Sequence, residues 1–85
     1  MGKFDKLLLS VITGTSDANI SFISLCGLLI KYNFDERIKG DHPIFTREDV
    51  VEIINLQPVG DKAKAYQVKQ VRNIFHKYKI GNGNE

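Results

Sequence analysis

The sequence predicts an α+β domain: a three-stranded antiparallel sheet with helices packed on one face, in the order helix, helix, strand, strand, strand, helix. Three observations carry this. Helical periodicity governs both ends of the chain, two extended segments flank a Gly40-Asp41 turn, and a β-branched run, VVEIINLQ, follows a polar turn. At 85 residues, 42% hydrophobic and 26% charged, the chain has room for one modest core and the composition of a globular protein.

The elements follow in order. Phe4, Leu7, Leu8 and Val11 recur at i, i+3, i+4 and i+7, the stripe of an amphipathic helix. Gly14 supplies a left-handed stop, and TSDAN is a polar turn. In SFISLCGLLIKYN, Ser21 is placed to cap a second helix and Ile20 to pack against Leu25. Phe22, Leu25, Cys26, Leu29 and Tyr32 line its buried side. After Asn33 the period becomes extended. Phe34 to Lys39 and His42 to Thr46 flank a Gly-first connection suited to a type II′ hairpin. VVEIINLQ is the third strand, closed by Pro58 and Gly60. A last helix is expected from Ala65 to Ile80, then a fraying GNGNE tail.

Composition excludes several classes. The single cysteine rules out an internal disulfide framework, and Cys26 has no partner at zinc-ligand spacing. It reads as a small buried residue. LLLSVI is too short to span a membrane, and KFDK lacks the form of a secretory signal, so a cytoplasmic protein without membrane contact is expected. No phosphate-binding loop, dinucleotide fingerprint, carboxylate pair or Ser-His-Asp pattern is present, and two histidines do not make a metal site; no cofactor is expected.

Charge is unevenly spread. Residues 1–60 carry −2, whereas 61–80 carry +5 from Lys62, Lys64, Lys69, Arg72, Lys77 and Lys79 against Asp61. On the last helix Val68, Val71, Ile74, Phe75 and Tyr78 share one arc, and Lys69, Arg72, His76 and Lys79 the adjacent one, spanning roughly 80°. Such runs are commonly solvated faces whose long stems cover the core. Here the stripe is narrow, free of acids and preceded by Lys62 and Lys64, a pattern suited to salt-dependent phosphate contact, with His76 auxiliary. His42 reads either as a strand residue hydrogen-bonded at a hairpin start or as a proton-transfer group beside that surface.

The stretches RIKGDHPIF, EIINLQP and KAKAYQVKQVRNIF resemble the HicA toxins of bacterial toxin–antitoxin systems over about residues 20 to 80. The most specific elements are Gly40-Asp41-His42 followed by Ile44-Phe45, and the NLQP…KAKAYQVKQVR run. The resemblance implies a fold similar to the double-stranded-RNA-binding domain, with an N-terminal helical extension over 1–15, a core over 19–80 and a disordered tail over 81–85. It implies an mRNA interferase: a metal-independent endoribonuclease with His42 as general acid/base, Gly40 shaping the turn, and a HicB-like antitoxin as partner. Lys39, Lys62, Lys64, Lys69, Arg72, His76 and Lys79 are assigned to RNA by charge, not by a family motif. Two positions depart from the pattern. Pro43 stands where the family usually has a second histidine, and Ala65 where proline would open the helix. With that slot lost, the alternatives are a non-catalytic RNA-binding module on the same fold or a basic protein-interaction module.

Overall fold

The computed structural model describes residues 4–81, so of the expected tail only Gly81 falls within it. The chain is α+β. α1 (Asp5–Thr13) ends where Gly14 turns left-handed at φ 73°, its N–H donating to the Ser10 carbonyl. A 3-10 turn (Asp17–Asn19) leads to α2 (Phe22–Lys31), and the Ser21 hydroxyl accepts the Ser24 N–H at 3.3 Å as the expected cap. Ile20 and Leu25 are both in the core.

Three strands follow: β1 (Asp35–Lys39), β2 (His42–Arg47) and β3 (Val50–Asn55), antiparallel with β2 central. Lys39 pairs with His42 across the two-residue turn. Gly40 has φ 64° while Asp41 does not enter the positive region, as a Gly-first turn requires. Phe45 lies between Glu36 and Ile54 in register, and the ladder slips once between Phe45 and Arg47. Pro43, Phe45, Val50, Ile54 and Leu56 are buried on the helix side. By strand alternation His42, Ile44 and Thr46 face the other way, with Arg37, Lys39, Val51 and Ile53. That face is open; Val51 is 88% exposed.

A second hairpin was not expected. β4 (Pro58–Val59) and β5 (Lys62–Ala63) pair around Gly60-Asp61, and Lys62 also bridges to Ser21. Pro58 reads in sequence as the end of extended structure. It is instead the first residue of a strand, where a missing N–H costs least. Gly60, at φ 61°, repeats the Gly-Asp solution of the first turn.

α3 (Ala65–Lys77) stops three residues short of the expected Ile80. Lys79 adopts φ 56°, its N–H donates to His76 and the Ile80 N–H to Phe75, so buried Ile80 folds back under the helix end. α2 ends the same way through Asn33 (φ 71°), with Phe34 folded back onto Leu29. Apolar residues after each helix thus set where it stops. Lys79 therefore lies outside the helix and off its basic stripe.

The core joins Val11, Leu25, Leu28, Leu29, Phe34, Phe45, Ile54, Leu56, Val68, Val71 and Phe75. Its one buried polar side chain among the described residues is Gln67. Gln67 Nε2 donates to the Asn55 carbonyl at 2.6 Å, and its Oε1 accepts the Gln57 N–H at 2.7 Å. One side-chain amide thus occupies the place of a neighbouring strand along the outer edge of β3. Further along that edge the Val51 N–H donates to the Tyr78 hydroxyl at 3.2 Å. That hydroxyl in turn donates to Glu52 Oε1 at 2.6 Å, and Lys77 Nζ donates to Glu52 Oε2 at 2.9 Å. The hydrogen bond from Lys77, then that from Tyr78, holds the Glu52 carboxyl down at about 2. β1 has no such cover: all five of its residues are exposed, and the Glu36 and Ile38 backbone groups point outward from the ladder.

Gln67→Leu is expected to lower the unfolding free energy by about 1 to 2 kcal/mol, because a similar volume is kept while two part-buried backbone groups lose their partner. Urea denaturation measures this; a loss below about 0.5 kcal/mol would remove Gln67 from that role.

Candidate functional site

β2 delivers His42 to the open face at the turn end of the sheet. Its cross-strand neighbour on one side is Lys39. On the other, the Leu56 N–H donates to the Pro43 carbonyl at 3.2 Å, so the register continued by one residue brings Gln57 alongside His42. Gln57 Oε1 accepts from Lys64 Nζ at 2.8 Å. Lys39, His42, Gln57 and Lys64 therefore form a row across β1, β2 and the start of α3. A titratable ring lies in its middle and an ammonium at each end.

His42 is half-buried, and its Nδ1 is shut off from solvent without a hydrogen-bond partner. The hydrogen bond expected of a strand histidine at a hairpin start is absent among the described residues. A buried polar atom left unpaired costs free energy in a core. With Nδ1 enclosed, Nε2 is the ring atom left for an incoming group. Pro43 points to the opposite face and is buried, so it does not belong to this row. Pro43 also gives up the return bond to Leu56, at the point where the β2–β3 ladder ends.

The other basic residues do not converge here. Arg72 is withdrawn from the surface: one guanidinium nitrogen lies 2.9 and 3.2 Å from the two Asp17 carboxylate oxygens and 3.3 Å from the Val11 carbonyl. Both side chains of this ion pair are largely buried, at 17% and 18% exposure. The helical wheel puts Arg72 in the stripe correctly but cannot see a partner 55 residues away. His76 belongs to the far end of α3, about 18 Å from Lys64 along the axis by helical rise, and Lys79 lies beyond that end. Lys69 is exposed in the second turn, and Lys62 is half-buried on β5, 4.0 Å from Asp61. The expected stripe is thus divided: Lys64 and Lys69 lie at the start of α3, His76 near its end, and Lys62 on the second hairpin.

Two residues at this end were missed by sequence reasoning. Gln57 reads as the polar end of a strand, and only the register places it beside His42. Tyr66, at the second position of α3, is 62% exposed, with Lys64 Nζ 6.0 Å from its ring centre. On the wheel it lies about 60° beyond Lys69, away from the apolar arc, and an aromatic residue outside that arc was the available signal.

Elsewhere, burial first and then the Glu36 carboxylate push the Cys26 thiol up to about 11, so it stays protonated and inert at neutral pH. Among the described residues no group of three or more His, Cys, Asp or Glu side chains is arranged to hold a metal ion, and no helix is long and apolar enough to cross a membrane. No family model, curated protein or solved structure matches this chain.

Proposed function

We propose that the chain is a HicA-like ribonuclease toxin that acts on mRNA in the cytoplasm through the row Lys39, His42, Gln57 and Lys64. The observation that supports this reading is the placement of His42 on an uncovered sheet face between its cross-strand partner Lys39 and Gln57, whose side chain holds the Lys64 ammonium. Cleavage of RNA by its own 2′-hydroxyl forms a bond from that oxygen to phosphorus and breaks the bond to the 5′-oxygen. A proton must leave the first oxygen and another must reach the second. Neutral His42 takes the first through Nε2 while water supplies the second, or its protonated form supplies the second while water takes the first. Lys39 and Lys64 hold the phosphate and offset the charge that builds on it. The Gln57 side chain, fixed by Lys64, offers an amide to a phosphate or ribose oxygen. The partner in this reading is a HicB-like antitoxin that covers the row.

The test separates binding from cutting. Labelled RNA is incubated with the purified chain in EDTA at low salt, and binding is followed as salt is raised. Cleavage with chelator present is the expected result. Lys39→Gln and Lys64→Gln are each expected to weaken binding and to reduce the logarithmic salt slope by about 1. Salt-dependent binding without cleavage would transfer the row to a non-catalytic RNA-binding module. Failure to bind or cut RNA at low salt would end the RNA reading, and capture of an acidic partner instead would favour the interaction module.

A further inference from the structure

We infer that Tyr66 is a base-stacking residue, so that the RNA read at this site is single-stranded, with an unpaired base lying on the Tyr66 ring beside the phosphate held near His42. The inference rests on the RNA reading above and narrows its substrate class.

Of the eight aromatic side chains, seven are buried or half-buried and Tyr66 alone is exposed. The half-buried Tyr78 uses its hydroxyl at a strand edge, whereas the Tyr66 hydroxyl meets no partner among the described residues. Nothing in the fold accounts for this ring on the surface. Its neighbours do bear on a ligand. Lys64 Nζ is held 2.8 Å from Gln57 Oε1 and 6.0 Å from the Tyr66 ring centre, so one ammonium joins the ring to the row containing His42. Lys69, three residues further on, lies on the same side of the helix and has no partner among the described residues. A flat π-face between two cations, adjacent to a phosphate site, has the chemistry of single-strand binding: the cations track the backbone, and the ring takes a base of any identity. The base must be out of a duplex to reach it. The open sheet face itself presents no aromatic residue; its exposed apolar side chains are Val51 and Ile53. Tyr66 is thus the only stacking surface the described residues offer near His42.

The probes are a short single-stranded RNA of mixed sequence, bearing one 2′-O-methyl group per residue to block cleavage, and its blunt duplex. Because Tyr66 is exposed, Tyr66→Leu, Tyr66→Phe and Tyr66→Trp are expected to melt with the parent. Tyr66→Leu is expected to weaken single-strand binding by about 5- to 150-fold, the range for loss of one stacked base, and Tyr66→Phe to retain it. The chain has no tryptophan, so Tyr66→Trp introduces a unique fluorophore. Its emission is expected to be quenched as the single strand saturates. Equal single-strand affinity for Tyr66→Leu and the parent would overturn the inference, as would unquenched tryptophan emission when anisotropy shows the strand bound. If the parent protein binds neither probe, the RNA reading fails as well, which is a different result from binding that ignores Tyr66.

Discussion

His42→Ala is expected to lower the rate of RNA cleavage by a factor of about 10² to 10⁴, the contribution of one positioned proton-transfer group. RNA binding should change far less, because the two ammonium groups of the row remain. The fold should also be retained. The pairing of Lys39 with His42 is made by the backbone, and the His42 ring brings no hydrogen bond from Nδ1 that its loss would break. Removing a buried polar atom that has no partner relieves its cost, which offsets part of the packing lost with the ring. The measurement is single-turnover cleavage in EDTA alongside thermal melting. His42→Gln is the control, since an amide fills the space without titrating between pH 5 and 8. Undiminished cleavage by either variant would remove His42 from the mechanism.

The second large effect is on stability. Arg72→Ala is expected to lower the unfolding free energy by about 3 kcal/mol, the low end for breaking a buried ion pair by removing one partner. By the usual scaling, melting falls roughly 12 °C or more. The Asp17 carboxylate would be left largely buried and unmatched, and the Val11 carbonyl would lose its donor. Arg72→Lys is expected to recover only part of this loss: one nitrogen makes all three contacts, and an ammonium would have to reach the same point on a shorter side chain. Gly14 tightens the requirement. A side chain there would begin 2.8 Å from the same guanidinium nitrogen, in a backbone conformation that already disfavours one. Denaturant unfolding tests this, and a loss under about 1 kcal/mol would place the pair among ordinary surface bridges. At temperatures where the variant stays folded, the salt slope of RNA binding should match the parent, which separates Arg72 from Lys39 and Lys64.

This contrast shows where sequence patterns carry information. The periodicity of Phe4, Leu7, Leu8 and Val11, the Ser21 cap and the Gly40-Asp41 turn are local features, decided within a few residues. Each appears in the fold as expected. Arg72 and Gln67 are polar residues on the same helix, and their roles depend on partners distant in sequence. Arg72 looks like surface charge until Asp17 is folded against it, and Gln67 like a surface residue until the edge of β3 needs its amide. The hairpin at Gly60-Asp61 was hidden by Pro58, although the dipeptide Gly-Asp occurs in both turns. The candidate site was partly legible for the same reason. Lys39 and His42 are joined by a two-residue turn, but Gln57, Lys64 and Tyr66 reach them only through sheet register and helix placement.

The partly capped edge of β3 has a consequence for assembly. Gln67 and Tyr78 occupy backbone groups that another strand would need, while the outer groups of β1 meet nothing among the described residues. Among the described residues, edge pairing between copies is therefore favoured through β1. Once two molecules meet there, the edges left are the partly capped β3 and the two-residue β4, so growth beyond a pair by edge pairing is disfavoured.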